Sequence, residues 1–261
     1  MPTTLTLAIL LGLVVCTNNS KICPTLKSAS NFTVIAGSAV SNTGFTVING
    51  NLAISPSGSL TGFNPMGVIN GNTELNTGVA LQAQKDLTSA YNDLQGVPFT
   101  ARMTGVDLAG KTLEAGVYKF DSAAGIDTPF GILILNGSGI YIFQIGSTLT
   151  TSINSEIRLM NGAKPDCIFW QVGSSATLGQ YSQFVGNILA YASVGFAIGV
   201  TYNGSVYART AAVSFNADTV TGQMSCNICQ TVPDSVKARV SRNLSQNISL
   251  YIVIMLVFSL F

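Results

Sequence analysis

The feature that most constrains this chain of 261 residues is a step of 18. An apolar residue, any residue and then glycine recur as Phe184-Val-Gly186, Tyr202-Asn-Gly204 and Val220-Thr-Gly222. The same triplet stands earlier, less regularly spaced, as Ile48-Asn-Gly50, Leu60-Thr-Gly62 and Ile69-Asn-Gly71. A longer echo, Ile142-Phe-Gln-Ile-Gly-Ser147, returns 27 residues on as Phe169-Trp-Gln-Val-Gly-Ser174. Self-similarity at a fixed period marks a repeat architecture. Short alternating runs, each closed by glycine, suit a β-solenoid coil of three short strands with tight corners. Because strand side chains alternate faces, Phe184, Tyr202 and Val220 should pile up inside while the residues just before them point outward.

One segment breaks the pattern. From Glu74 to Gln95 the apolar positions Ala80, Leu81, Ala83, Leu87, Ala90, Tyr91 and Leu94 fall on one helical face, and Gly96 with Pro98 stops the run. The reading is a mainly β fold with one long α-helix, about 77–95, whose apolar stripe packs along the solenoid.

Composition narrows the chemistry. With 12 Lys+Arg against 11 Asp+Glu and only 9% charged residues, the chain lacks the basic footprint of a nucleic-acid binder, so no nucleic acid is expected as a partner. There is no histidine, which removes Ser/His and Cys/His nucleophile pairs and a histidine general base. The acids are scattered; Asp107 with Glu114, or Asp121 with Asp127, come nearest to a pair, and loop acids account for both. Cys226-x-x-Cys229 has no second, properly spaced pair and is a weak zinc signal. No enzyme, metal or cofactor is expected. Thr, Ser, Asn and Gly make up more than a third of the chain, which suits a turn-rich β protein with a neutral hydroxyl surface.

The two ends read differently from the middle. Leu5 to Val15 form an apolar run of 11 residues, too short to span a bilayer but suited to a secretory signal covering 1–16, cleaved after Cys16. Ile248 to Phe261 is an uncharged tail of 14 residues behind a polar linker, 232–247; it reads as a GPI-type signal or a short membrane anchor. Between them lies one domain, 21–231. Secretion, with attachment to the outer cell surface, agrees with sequons at Asn18, Asn31, Asn136, Asn203, Asn243 and Asn247, of which Asn31, Asn136 and Asn203 in the domain are the glycosylation candidates. Removal of the signal leaves Cys23, Cys167, Cys226 and Cys229, where disulfides are favoured over a metal. Three pairings are open; a staple from Cys23 to the 226–229 region is the expectation.

Several separated motifs together resemble a known family. They are Ala36-Gly-Ser-Ala-Val-Ser-Asn-Thr-Gly44, the helix stretch Ala83 to Asp93, Gly116-Val-Tyr-Lys119, Phe143-Gln-Ile-Gly-Ser-Thr-Leu-Thr150, Phe169 to Gly179 and Phe184-Val-Gly-Asn-Ile-Leu189. Over roughly residues 31–222 the chain is similar to the ice-binding proteins of the DUF3494 type. The resemblance implies a discontinuous β-solenoid of triangular section with a helix alongside, secreted, working as a monomer, and adsorbing to an ice crystal surface without catalysis.

Physical chemistry agrees with that implication. A binder of a fixed oxygen lattice needs a flat, rigid array, and stacked strands repeat at about 4.8 Å between coils and about 6.6 Å between alternate residues. Thr brings a hydroxyl, a methyl and a stiff χ1, so little entropy is lost on adsorption. Charges hold their own hydration and fit poorly.

Two rows of outward positions compete. The favoured row precedes the apolar-x-Gly triplets and contributes Asn154, Gln183, Thr201 and Thr219, with Thr43, Thr46 and Ser59 added from the early coils; Thr43-Gly-Phe-Thr46 and Thr151-Ser-Ile-Asn154 also fit the Thr-small-x-Thr/Asn pattern that the resembled family often carries on this strand, which adds Thr151. Glu156, Tyr181, Gln183 and Ile198 stand where the resembled family often places Thr or a small residue, and interrupt it. The rival row flanks Leu149, Leu178, Phe196 and Phe215: Thr148, Thr150, Thr177, Gly179, Gly195, Ala197, Ser214 and Asn216. A different function, a cell-surface adhesin or glycan-binding module, would suit the same solenoid, but it calls for an aromatic platform, and Trp170 sits in an apolar strand expected in the core.

Overall fold

The structure is a computed structural model that describes residues 21–22, 24–222, 226 and 230–231. The expectations for residues 1–16, 232–247 and 248–261, and for Cys23 and Cys229, lie outside the described residues.

Three parallel sheets of eight, seven and nine strands form the walls of the solenoid. A regular coil runs through Asn187–Ala190 in the nine-stranded sheet, Val194–Phe196 in the seven-stranded sheet and Thr201–Asn203 in the eight-stranded sheet. The 18-residue step is the register itself: Gln183, Thr201 and Thr219 are successive Cα partners. The 27-residue echo is also one coil, since Ile142 pairs with Phe169 and Gln144 with Gln171.

Phe184, Tyr202 and Val220 are buried inside, as alternation requires. The aromatic side chains stack from coil to coil: Tyr118 on Phe143 at 5.5 Å between ring centroids, Phe143 on Trp170 at 3.9 Å, Trp170 on Phe184 at 5.0 Å and Phe184 on Tyr202 at 5.8 Å. Gly50, Gly71, Gly186 and Gly204 turn the corner from the eight-stranded into the nine-stranded sheet. At Gly204, with φ +151°, a Cβ would lie 1.9 Å from the carbonyl oxygen of Gly186, so this close approach of coils admits no side chain.

The coils do not stack in chain order. Val206–Ala208 pairs with Val34–Ala36, Val213–Asn216 with Ala39–Thr43, and Thr219–Thr221 with Val47–Asn49. The first coils of the chain therefore lie beyond the last ones, and Thr73–Leu75 ends the nine-stranded sheet opposite Ala101–Arg102. The helix Gly78–Gly96 makes the return journey. Its 19 residues rise about 28 Å, against about 38 Å for eight interstrand steps.

Thr77 caps the helix, its Oγ1 accepting the Ala80 N–H at 3.2 Å. Ala80, Ala83, Gln84, Leu87, Ala90, Tyr91 and Leu94 are buried against Ile35, Ile142, Phe169, Leu189 and Tyr207 of the nine-stranded sheet. The sequence stripe needs one correction: Leu81 is 44% exposed, because it lies one residue off the 80–83–87 ridge, and Gln84 takes the inner place, donating to Ala208 O and Arg209 O. Burial on both faces explains why Ile168-Phe-Trp-Gln-Val172 is wholly buried and nearly all apolar.

Cys167 is bonded to Cys226, closing a separation of 59 residues. A loop of that length restricts the unfolded chain by about 4 kcal/mol in the chain-entropy account. Cys226 is thereby unavailable to Cys23, which corrects that half of the expected staple.

Candidate functional site

Helix cover removes the nine-stranded sheet from any contest for a flat binding surface, leaving the two other walls. In the eight-stranded sheet the outward column that contains Gln183, Thr201 and Thr219 continues as Glu156 on one side and Val47 and Val68 on the other. A second outward column holds Ile134, Arg158, Asn203, Thr221, Asn49 and Asn70. Glu156 and Arg158 form an ion pair at 2.8 Å, and Asn136 and Asn203, two of the sequons, belong to this sheet. The wall mixes charge, amide and β-branched apolar groups.

The seven-stranded wall is different in kind. One outward column runs Gly125, Thr150, Thr177, Gly195, Ser214, Ser41 and Thr61, each the Cα partner of the next. Two residues back along each strand, the same registers align Ala123, Thr148, Ser175, Ser193, Ala212, Ala39 and Ser59. Ser193 donates from its hydroxyl to that of Ser175 at 2.9 Å. Two residues forward lie Asp127, Ser152, Gly179, Ala197, Asn216, Thr43 and Phe63. In these three columns Asp127 is the one charged group and Phe63 the one aromatic. Thr150 donates to Asp127 Oδ1 at 2.8 Å. Short side chains on parallel strands leave a level surface, with hydroxyls repeating at about 4.8 Å along the stack.

A ladder of left-handed residues bounds this wall where it turns into the eight-stranded one. Phe130, Asn154, Tyr181, Gly199, Ala217 and Gly44 have φ between 54° and 84° on six successive coils. Phe130 N–H donates to Ile153 O, Asn154 N–H to Gln180 O, Tyr181 N–H to Ile198 O, Gly199 N–H to Asn216 O and Ala217 N–H to Thr43 O. Beneath it Asp218 is buried, accepting the Val200 N–H at 2.8 Å and the Asn216 N–H at 2.6 Å. Burial pushes its carboxyl up to about 6, against the pull of those hydrogen bonds.

The favoured row of sequence positions is therefore divided. Gln183, Thr201 and Thr219 share one column and Asn154 sits on the corner ladder, while Thr43 and Ser59 belong to the seven-stranded wall. Thr46 and Thr151 are corrections: both are buried. Each has the parity of an inward residue, Thr46 with Ile48 and Thr151 with Leu149, so alternation turns it into the coil. Thr46 Oγ1 accepts the Asp218 N–H at 3.1 Å, and Thr151 Oγ1 accepts the Gly179 N–H at 2.8 Å. The rival row, from Thr148 to Asn216, lies entirely on the seven-stranded wall. The signal that could have found it is the even run of Thr, Ser, Gly and Ala flanking Leu149, Leu178, Phe196 and Phe215.

The acids Asp107 and Asp121 are both held in local hydrogen bonds. Although burial opposes it, Asp107 is held below the usual carboxylate range by the N–H groups of Ala109, Asp127 and Thr128 and the Thr128 hydroxyl, which makes it a loop staple. Asp121 is bound by Arg102 and Thr104. Among the described residues no three His, Cys, Asp or Glu gather as a metal would require.

A family profile described as Ice-binding-like matches residues 34–221, the whole solenoid and its helix. The chain belongs to this ice-binding-like family. A relative named "Ice-binding protein", from Nostoc sp. (strain HG1), is 44% identical over 213 residues, covering 80% of this chain and 76% of its own. The crystal structure of an ice-binding protein from the Antarctic ascomycete Antarctomyces psychrotrophicus superposes with a TM-score of 0.73 at 40% identity, over 78% of this chain and 100% of that one. Another, from an Antarctic biological consortium, gives 0.74 at 39% identity over 77% and 91%. Two solved structures of proteins described as ice-binding thus share the fold of this chain.

Proposed function

We propose that this protein adsorbs to ice through its seven-stranded wall, and so limits the growth or recrystallisation of crystals outside the cell. The observation that carries the reading is the column Gly125–Thr150–Thr177–Gly195–Ser214–Ser41–Thr61, small and uncharged over seven strands. Each hydroxyl contributes little alone; affinity comes from many acting together on one rigid plane. The names of the relatives support ice as the ligand, and the sequons Asn136 and Asn203 on the other wall would keep glycans off this one.

The Cys167–Cys226 bond suits an oxidising compartment and supports a secreted protein. We extend the proposal to glycosylation at Asn31, Asn136 or Asn203, to attachment at the outer cell surface through the apolar tail 248–261 or a lipid anchor that replaces it, and to action as a monomer, with no catalytic role. Growing a single ice crystal slowly in a solution of the labelled protein tests the central statement. Enrichment in the ice is expected; exclusion into the liquid, as for an ordinary soluble protein, would overturn it.

A further inference from the structure

Between the second half of the helix and the corner where the nine- and seven-stranded walls meet lies a cleft of about 550 Å³, within the size range of small-ligand sites. Its floor follows one position on five successive coils: Asp121, Gly146, Gly173, Tyr191 and Arg209. Gly146 N–H donates to Phe120 O at 2.8 Å, Gly173 N–H to Ile145 O at 2.7 Å, Tyr191 N–H to Val172 O at 2.9 Å and Arg209 N–H to Ala190 O at 2.9 Å. At Gly146 and Gly173 a Cβ would lie 2.6 and 2.5 Å from a carbonyl oxygen of the preceding coil, so these two coils present bare backbone. The gap is closed by Lys119 and Asp121 at one end and by Tyr191 and Arg209 at the other. From Asp121 to Tyr191 is three interstrand steps, about 14 Å.

Arg209 decides the chemistry. Its guanidinium carbon lies 4.3 Å from the Tyr91 ring centroid and 5.3 Å from that of Tyr191, so two aromatic rings hold the charged head by cation–π contact. Its Nε donates to Thr88 Oγ1 at 3.4 Å. Among the described residues no carboxylate stands within ion-pair distance of Arg209 or Lys119, whereas Asp121 is already taken by Arg102. The cleft therefore carries two cations without acidic partners, a half-exposed aromatic face on Tyr191, and the amides of Asn92 and Gln95 on the helix side. A guanidinium has five N–H donors, more than the hydrogen bonds to Thr88 and Tyr91 use, and its planar fork recognises a carboxylate; a tyrosine face and neutral amides suit a hydroxylated ring beside it.

We propose that this cleft binds a short oligosaccharide carrying carboxylate groups, of the uronic-acid class, along the Lys119-to-Arg209 axis. The site lies off the three columns of the seven-stranded wall, so it stands independently of the ice reading.

The test titrates the full-length protein with tri-galacturonic acid and with its methyl ester, followed by calorimetry. The acid is expected to bind at least about tenfold more tightly than the ester, since the ester removes the charge-assisted pair and keeps the rings. Arg209→Gln and Tyr191→Ala are each expected to weaken the acid about tenfold, with inhibition of ice recrystallisation unchanged. Should Arg209→Gln fail to fold, Lys119→Gln, outside the aromatic clamp, carries the same expectation. No binding of the acid at millimolar concentration, equal binding of acid and ester, or undiminished affinity in a folded Arg209→Gln or Lys119→Gln protein would overturn the proposal.

Discussion

Thr46 and Asp218, 172 residues apart in the chain, meet in one buried corner, where Asp218 N–H donates to Thr46 Oγ1 at 3.1 Å. This contact welds the first coils of the chain to the last. It also places a carboxyl where ionisation is costly: Asp218 is 1% exposed and burial raises its pKa to about 6.

Stability should therefore fall as pH rises through the range in which this carboxyl ionises. The native state holds the proton up to about pH 6, while the unfolded chain releases it near pH 4, roughly the ordinary aspartate value. The contribution of this group is complete below about pH 4, declines as pH rises through about 6, and is absent above; the gap between the folded and unfolded values bounds it at about 3 kcal/mol. Thermal unfolding should show Asp218→Asn lacking the part of the wild-type pH response that falls between those values. An identical pH profile in wild type and variant would show that Asp218 has no share in that response.

Two glycines should respond oppositely to the same change. At Gly204 the new Cβ would meet Gly186 O at 1.9 Å with φ at +151°, whereas at Gly195 the nearest atom is Ser214 Oγ at 3.5 Å. Gly204→Ala is expected to lose more than about 1 kcal/mol in denaturant titration, and Gly195→Ala to be neutral or slightly stabilising.

Trp170 is fully buried between Phe143 and Phe184, and its Nε1 donates to Val185 O at 3.0 Å. Trp170→Ala should cost about 3–5 kcal/mol, and Trp170→Phe less, with the carbonyl of Val185 left without that donor. Chemical denaturation with both variants checks the order.

The coil was legible because its glycines are steric necessities. Phe184-Val-Gly186 and Tyr202-Asn-Gly204 repeat since the corner after each inner aromatic admits no Cβ. The helix was legible for a similar reason, a buried stripe interrupted by the single polar Gln84. Coil order was beyond reach of the residues alone, because it rests on pairings such as Val34 with Val206 that no local pattern encodes. The flat wall was hidden by its own virtue. Its strands carry only Gly, Ala, Ser, Thr and Asn outward over most positions, a composition that also describes loops. Leu60-Thr-Gly62 added confusion: it copies the triplet of the eight-stranded wall but lies in the seven-stranded one, which drew Ser59 into the wrong row.

Gly195 also offers the sharpest test of the proposed face, since it sits at the centre of the hydroxyl column with room for a side chain. Inhibition of ice recrystallisation should be compared for wild type, Gly195→Arg on the seven-stranded wall and Thr219→Arg on the eight-stranded wall, each verified as folded. Adsorption through the seven-stranded wall requires that Gly195→Arg lose nearly all activity while Thr219→Arg retains it. Full activity in Gly195→Arg together with loss in Thr219→Arg would place the ice contact on the other wall and refute the proposed face.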